Sequence, residues 1–255
     1  MTDLRGRAAV VTGAGSGIGR GIAICLAECG AAVLLADIND EGARETRRLL
    51  SNGSVSAVVA GDVSSDAVAR GVIEAALTAF ERLDILVNNA GTQVVKPSTE
   101  LDIAEWELMM GVNLRAVYLC SKYAIPYLAR QGGAIVNIAS VHAHATLADY
   151  AGYAASKSGI LGLSRGLAVQ CGPLGIRVNA VSPGTIETPL LQRYIDGFAD
   201  PAGMRGQMIS RQPIGRLGTP RDIGSLVAFL AGGDATFISG AEIVADGGMM
   251  ANLFR

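Results

Sequence analysis

The sequence TGAGSGIG at residues 12–19 joins the first apolar run of the chain, Ala8–Thr12, to a helix-like segment, Ile18–Cys29. Its glycines allow the backbone to turn sharply and to come close to a pyrophosphate, whose charge a helix N-terminus favours. A glycine-rich turn is weak evidence by itself, because such turns are common. Here it lies between a strand and a helix, and an acid ends the next predicted strand, so the pattern indicates a dinucleotide-binding turn. The residues expected to contact the cofactor are Gly13, Ser16, Gly17, Ile18 and Gly19.

The acid is Asp37, at the end of the apolar run Ala32–Asp37. Its carboxylate can accept hydrogen bonds from the 2′- and 3′-hydroxyls of an adenosine ribose, and it would repel a 2′-phosphate. Neither Ile38 nor Asn39 offers a positive charge to such a phosphate. The alternative is a solvated turn residue or a helix cap. We therefore expect NAD, rather than NADP, as the cofactor.

Two further predicted strands end in residues that belong at the same edge of the sheet. Asp62-Val63 follows the third strand and can contact an adenine through side chain and backbone. The sequence NNAG at residues 88–91 follows the fourth strand. Because open α/β sheets bind ligands at the carboxyl ends of their strands, these residues are expected to join the cofactor site. The residues concerned are Asp62, Val63, Asn89, Ala90 and Gly91.

Apolar, strand-like runs alternate with helix-length segments almost to the C-terminus. The predicted strands are Ala8–Thr12, Ala32–Asp37, Val55–Gly61, Asp84–Asn88, Ala134–Ser140, Arg177–Ser182 and Glu242–Ala245. The predicted helices are Ile18–Cys29, Asp40–Leu50, Ser65–Arg82, Ile103–Gln131, Gly152–Cys171 and Arg221–Ala231. Most strands are continuously apolar, which is typical of a parallel sheet covered on both faces. The alternation predicts a doubly wound α/β fold, and no linker or repeat interrupts it, so we expect one domain over residues 1–255.

One segment, residues 185–218, departs from this alternation. It is long and polar, and Pro189, Pro201 and Pro213 are interpreted as breakers of regular structure. A connection of this length inside a compact domain is usually functional. Because it follows a strand at the ligand-binding edge, we expect it to form a lid over the substrate.

The sequence SVHAHATLADYAGYAASK at residues 140–157 places three groups where one proton can be moved. Tyr153 and Lys157 lie one helical turn apart on a shared face. A phenol titrates near pH ~10 in water, and a nearby ammonium favours the phenolate, so we expect Lys157 to lower the pKa of Tyr153. Ser140 adds a hydroxyl that can hold a substrate oxygen. The arrangement suits proton transfer to or from an alcohol or a carbonyl.

Composition excludes several classes of partner. The chain carries 21 basic and 23 acidic residues, and no lysine–arginine run points to nucleic acid. Its polar N-terminal sequence is unlike a signal peptide. The longest apolar stretch, residues 21–36, contains Glu28 and is too short for a membrane span. We therefore expect a cytoplasmic protein with a small-molecule substrate and no nucleic-acid or membrane partner.

Several other residues leave alternatives open. The four cysteines show no C-x-x-C pair and are interpreted as packing thiols rather than a metal or redox site. His142 and His144 lack an identifiable third ligand, so no metal is expected. A substrate contact and a loop hydrogen bond are both open for His142. The arginines of the long segment either bind an anionic substrate or are solvated; they are Arg193, Arg205 and Arg211.

Taken together, these motifs resemble the short-chain dehydrogenase/reductase family over nearly the whole chain. The motifs are T-G-x-x-x-G-x-G at residues 12–19, N-N-A-G at residues 88–91, Asn113, Ser140, Y-x-x-x-K at residues 153–157, and Pro183-Gly184. The resemblance implies a Rossmann-like, seven-stranded parallel sheet and a homotetramer. It implies catalytic roles for Asn113, Ser140, Tyr153 and Lys157, with Asn113 anchoring a water of a proton relay. It also implies cofactor contacts from Tyr153, Lys157, Pro183, Gly184, Ile186 and Thr188.

The expected activity is NAD-dependent hydride transfer to or from a small polar secondary alcohol or ketone, with a sugar or polyol as first choice. The predicted pocket walls, residues 92–95, 141–150 and 187–211, contain few large aromatics. Their polar side chains are Gln93, His142, His144, Glu187, Gln192 and Arg193, and substrate contacts are expected from Gln93, Ser140, His142 and Tyr153. The alternatives are an NADP-dependent 3-oxoacyl-type ketoreductase and a non-catalytic nucleotide-sensing protein.

Overall fold

The computed structural model describes residues 2–51 and 53–252. Within them the strands are β1 Ala8–Thr12, β2 Ala32–Asp37, β3 Ser56–Ala60, β4 Ile85–Asn88, β5 Gly133–Ile138, β6 Ile176–Pro183 and β7 Glu242–Ala245. They form one parallel sheet in the order β3-β2-β1-β4-β5-β6-β7. The predicted Rossmann-like sheet is therefore confirmed.

The helices cover both faces of this sheet. They are α1 Gly17–Glu28, α2 Asp40–Leu49, α3 Asp66–Phe80, α4 Ile103–Met110, α5 Ala116–Leu128, α6 Ala151–Cys171, α7 Pro189–Asp196, α8 Pro201–Ser210 and α9 Pro220–Ala231. The pleat of β1 separates two cores, because Val11 packs with Ile22 of α1, whereas Val10 packs with Ile73 of α3. Burial on both faces explains why β1 is apolar from Ala8 to Val11.

Strand β1 lies at the centre of the sheet and pairs with strands on both sides. Val10 is in register with Leu34 of β2 and with Leu86 of β4. The chain order reverses at this point, since β2 and β3 lie to one side and β4 to β7 to the other. Such a reversal leaves a crevice at the carboxyl ends of the strands, where open α/β sheets bind ligands.

The predicted helix Ile103–Gln131 is not a single α-helix. A π-helical turn, Gly111–Arg115, separates α4 from α5. Such single turns occur mostly inside α-helices and often at functional sites. Here the turn carries Asn113, one of the four candidate catalytic residues.

The segment 185–218 contains two helices that the sequence analysis did not predict. Pro189 and Pro201, interpreted there as breakers, occupy the first turns of α7 and α8. Proline is favoured at that position because it lacks an N–H that would have no partner there anyway. Thr188 caps α7 by accepting the Leu191 amide at 3.1 Å, and Asp200 caps α8 in the same way. The segment has a small core of its own, formed by Ile195, Met208 and Leu217.

No helix of the described residues is both long enough and apolar enough to cross a membrane.

Candidate active site

Ser140 and Tyr153 come from neighbouring elements at the carboxyl edge of β5. Ser140 begins the 3-10 turn Val141–Ala143, and its Oγ accepts the His142 amide at 3.2 Å. Tyr153 lies in the first turn of α6. Burial raises the pKa of the Tyr153 phenol, and a hydrogen bond with Ser140 opposes that shift. The expectation that Lys157 would lower this pKa is not met, because burial outweighs the other influences.

Lys157 is buried one turn along α6 from Tyr153. Its Nζ donates to the Ile138 carbonyl at 2.9 Å and lies 5.8 Å from the centre of the Tyr153 ring. Burial lowers the pKa of Lys157 to about 8. The ammonium is therefore close to the phenol, and it titrates just above neutral pH.

Asn113 is fully buried and holds three elements together. Its Oδ1 accepts the Thr92 amide at 2.7 Å, and its Nδ2 donates to the Thr92 carbonyl at 2.9 Å and to Ser156 Oγ at 2.9 Å. A Cβ at Gly91 would lie 3.4 Å from both Asn113 Oδ1 and Lys157 Nζ. The π-helical turn, the loop after β4 and helix α6 thus meet beside the lysine.

A cleft of about 500 Å³ lies at the crevice between β1 and β4. Most of the predicted cofactor residues line it, namely Gly13, Ser16, Gly17, Ile18, Gly19, Asp37, Asp62, Val63, Asn89, Ala90, Gly91 and Thr188. Tyr153, Gly184 and Ile186 instead line an adjoining cavity. Lys157 and Pro183 line neither of these two spaces.

The cleft fits a dinucleotide in its backbone geometry. Ser16 gives α1 no side-chain cap, so amides of the first helical turn are available to a pyrophosphate. A Cβ at Gly19 would lie 2.0 Å from the Gly13 carbonyl oxygen, so only glycine allows α1 to approach β1 this closely. Asp37 accepts the amides of Gly15 at 2.7 Å and Asn39 at 2.8 Å, which fixes its carboxylate at the cleft.

The two turns that line the cleft are hydrogen-bonded to each other. Thr12 Oγ1 accepts the amides of Asn89 at 3.0 Å and Ala90 at 3.1 Å. Asn89 Nδ2 donates to the carbonyls of Thr12 at 3.0 Å and Gly13 at 3.1 Å. The glycine turn and the turn after β4 are therefore held in one fixed arrangement.

The adjoining cavity of about 350 Å³ contains the candidate reacting groups. The predicted substrate residues all line it: Gln93, Ser140, His142 and Tyr153. Ile18, Thr188 and Leu190 line both this cavity and the cofactor cleft, so the two spaces are continuous. A nicotinamide reaching from the cleft would meet a substrate held at Ser140 and Tyr153.

The walls of this cavity mix neutral polar groups with more large apolar and aromatic side chains than expected. Its large apolar and aromatic side chains are Val141, Leu147, Tyr150, Ile186, Leu190, Leu191, Tyr194, Phe198, Met204, Met208, Met249 and Met250. Several come from α7 and α8, whose helical pattern was missed. Met249 and Met250 follow β7 at the ligand-binding edge, a position that could have drawn attention to them.

Most of the polar side chains expected in the walls are engaged elsewhere. His144 Nε2 pairs with Glu242 at 2.7 Å, and Gln192 donates to Asp196 at 2.7 Å. Glu187 pairs with Arg205. A further residue of the set, Arg193, lines the cofactor cleft instead.

His142 lies at the cavity as a neutral group. Its ring stacks on Tyr150 with centroids 4.7 Å apart and meets Tyr153 edge-on at 5.5 Å. Its Nδ1 forms a hydrogen bond with Thr146 Oγ1 at 2.8 Å. Burial lowers the pKa of His142, so the imidazole is uncharged at neutral pH. In the described residues, no three His, Cys, Asp or Glu side chains converge as a metal site would require.

Residues 13–250 match the family model described as enoyl-(acyl carrier protein) reductase, and the motifs at residues 12–184 lie almost entirely within that match. The chain belongs to the short-chain dehydrogenase/reductase family. Within that family it is 42% identical to cis-4-hydroxycyclohexanecarboxylate dehydrogenase of Sinomonas cyclohexanicum, over 96% of this chain and 97% of the relative. It is 36% identical to cyclohexanol dehydrogenase of an Acinetobacter species, over 94% of each chain.

A solved structure of the family has the same fold. The 3-ketoacyl-(acyl-carrier-protein) reductase from Brucella melitensis, complexed with NADH, superposes with a TM-score of 0.89. It is 35% identical in sequence, and the match covers 97% of this chain and 99% of that chain. As a short-chain dehydrogenase/reductase, the protein is an enzyme that uses a nicotinamide cofactor and acts on CH–OH groups or the corresponding carbonyls.

Proposed function

We propose that this enzyme is an NAD-dependent dehydrogenase of apolar, ring-sized secondary alcohols, or a reductase of the matching ketones. The observation that carries the proposal is the apolar wall around Ser140 and Tyr153. Any hydroxyl of a sugar or polyol that lay against these apolar side chains would lose its hydrogen bonds, at a cost of ~1–3 kcal/mol for each buried group. The apolar substrate therefore replaces the polyol expected from sequence. Both named relatives act on a cyclohexane ring that carries a hydroxyl, and they differ in whether the ring carries a carboxylate.

Each candidate catalytic residue has its own part in moving the proton or stabilising the charge that develops. In oxidation, the Tyr153 phenolate removes the hydroxyl proton of the substrate. The Ser140 hydroxyl holds the same oxygen and stabilises the negative charge that develops on it. The Lys157 ammonium beside the phenol opposes the effect of burial on the Tyr153 pKa without outweighing it, and Asn113 positions the loop at Thr92 beside it. The bound nicotinamide supplies the hydride acceptor or donor.

NAD is the proposed cofactor because the adenosine end of the cleft is negatively charged. The Asp37 carboxylate lies there without a salt bridge to any basic side chain of the described residues. Arg44 is the nearest basic residue in sequence, but it pairs with Asp40 at 2.7 Å, and Arg20 pairs with Glu45 at 2.7 Å. Arg193 also lines the cleft, but it lies on helix α7, which starts beside the glycine-rich turn. A Cβ added to Gly17 of that turn would lie 3.2 Å from Cγ2 of Thr188, the N-cap of α7.

The remaining features of the proposal concern organisation. Residues 185–218 act as a substrate lid within a single domain, because α7 and α8 form one side of the cavity and pack on a core of their own. Two observations favour a homotetramer and a reducing, cytoplasmic location. The apolar side chain of Val169 on α6 is 81% exposed, which favours association with other copies of the chain. The cysteines of the described residues are free thiols, which favours a reducing compartment.

The test is NADH formation at 340 nm with NAD⁺ and a panel of alcohols. We expect cyclohexanol to be oxidised with at least tenfold higher kcat/KM than sorbitol or glucose. The Tyr153→Phe enzyme is the control, because it keeps the ring and loses the transferable proton, so turnover should fall by ~10²–10⁴-fold. Turnover of that variant above about a tenth of wild type would contradict the role of Tyr153. A tenfold preference for polyols would refute the apolar substrate, and no turnover of any alcohol would favour a nucleotide-sensing protein.

A further inference from the structure

Among the described residues that line the substrate cavity, one carries a formal charge. That charge belongs to Arg211, which follows the last turn of α8. The other wall residues are apolar, aromatic or neutral polar groups. His142 is the other basic side chain in the wall, but burial keeps it neutral.

Arg211 differs from its neighbours in having no acidic partner among the described residues. Arg205 pairs with Glu187, and Arg216 pairs with Asp222 at 2.7 Å. No carboxylate of residues 2–51 and 53–252 lies within ion-pairing distance of the Arg211 guanidinium. A ligand can therefore bind Arg211 without first breaking an internal ion pair.

We propose that Arg211 binds a carboxylate carried by the substrate, so that the preferred substrates are hydroxy acids or keto acids with an apolar ring. This inference rests on the proposed function, since it places the carbinol carbon at Ser140 and Tyr153. The guanidinium presents paired N–H groups that match a carboxylate in a bidentate contact. An apolar ring between the two ends fills the walls described above.

A carboxylate fits this end of the cavity better than a phosphate. Arg211 lies at the C-terminal end of α8, where the carbonyl ends of the helix disfavour anionic charge. One guanidinium can offset a single negative charge there, whereas a phosphate carries up to two charges at neutral pH. The part of the wall formed by residues 2–51 and 53–252 offers no second cation and no glycine-rich turn of the kind that lines the cofactor cleft.

The alternative is a solvated arginine that stabilises only the end of its own helix, a contribution of a few tenths of a kcal/mol. Such a residue would not discriminate a charged ligand from a neutral one. Calorimetric titration in the presence of NADH distinguishes the two, with cyclohexanecarboxylate and cyclohexanecarboxamide as probes. The amide matches the acid in shape and lacks its charge, and neither probe has a hydroxyl to be oxidised.

We expect the wild-type enzyme to bind the carboxylate at least tenfold more tightly than the amide. In Arg211→Met the two affinities should come within about twofold of each other, and Arg211→Lys should retain part of the preference. Arg205→Met is the matched control, because that arginine lies on the same helix but outside the cavity wall, and it should keep the full preference. The proposal is overturned if wild type has no such preference, or if the preference survives in Arg211→Met.

Turnover separates a failure of this inference from a failure of the proposed function. The ratio of kcat/KM for 4-hydroxycyclohexanecarboxylate to that for its amide should fall by at least tenfold in Arg211→Met. If cyclohexanol is oxidised but wild type shows no preference for the acid, only the role of Arg211 is wrong. If no alcohol is oxidised, the proposed function fails, and the binding comparison still decides whether Arg211 recognises a carboxylate.

Discussion

Replacing Asp37 and Ile38 tests the cofactor assignment. A hydrogen bond to a charged acceptor contributes ~1.5–3 kcal/mol, which corresponds to about 10- to 150-fold in affinity. Repulsion between the Asp37 carboxylate and a 2′-phosphate adds ~1 kcal/mol in water for charges 4 Å apart, and more where the cleft excludes water. We therefore expect wild type to favour NAD over NADP by about 100-fold or more in kcat/KM.

Asp37 also has a structural role, which must be told apart from its electrostatic effect on the cofactor. In Asp37→Ala, the amides of Gly15 and Asn39 lose their acceptor, and the part-buried Gly15 amide makes this cost ~1–3 kcal/mol. For a chain of this size, that lowers Tm by about 2–12 °C. Asp37→Asn keeps one acceptor oxygen and should lose less. Ile38→Arg should be nearly neutral, because the Ile38 side chain is 75% exposed.

The assay combines kcat/KM for both cofactors with thermal unfolding of each variant. The double variant Asp37→Asn with Ile38→Arg removes the repelling charge and adds a guanidinium for the 2′-phosphate, so it should reverse or abolish the preference. Ile38→Arg alone should raise the efficiency with NADP while Asp37 still disfavours it. Equal kcat/KM of wild type with NAD and NADP would refute the argument. So would a double variant that unfolds at a Tm close to that of wild type and still prefers NAD to the same degree.

Three other predictions follow from separate features. Alcohol oxidation should accelerate as pH rises from 7 to 10, because the Tyr153 pKa is raised and the phenolate fraction grows with pH; a profile that falls over this range would contradict Tyr153 as the base. Gly19→Ala should abolish NADH binding, measured by fluorescence titration, because its Cβ would overlap the Gly13 carbonyl and lie 2.5 Å from Asn89 Nδ2. In the control Gly71→Ala on α3, the added Cβ meets no atom within 4 Å, and the change should stabilise the fold by ~0.5–1 kcal/mol. If Gly19→Ala binds NADH as tightly as this control does, the clash at Gly19 is excluded. Val169→Asp should shift a tetramer to smaller species in light scattering, because a charge would replace an exposed apolar side chain of α6; a monomeric wild type would contradict the tetramer.

The central sheet could be predicted because its signals are local. Each buried strand is a short apolar run, and the turn at residues 12–19 follows the first of them directly. The residues after β1 to β4 line the cofactor cleft, since the carboxyl ends of parallel strands meet at one edge. The spacing of Tyr153 and Lys157 likewise depends only on helical geometry.

The character of the substrate cavity could not be predicted, because it depends on contacts between distant residues. His144 is removed from the wall by Glu242, and Glu187 by Arg205. Pro189 is at the start of a helix instead of interrupting one, so the apolar face of α7 was missed. The raised pKa of Tyr153 also depends on three-dimensional burial, which the spacing to Lys157 does not reveal.

The hydrogen bonds between Thr12 and Asn89 have a consequence for the order of folding. The two turns around the cofactor lie far apart in the chain, and they can be joined only after β1 and β4 have paired at the centre of the sheet. A chain without that pairing lacks the assembled binding turns, so a dinucleotide binds only molecules that have completed this step. Bound cofactor should then stabilise the native state by mass action and slow its unfolding, while the rate of folding stays the same.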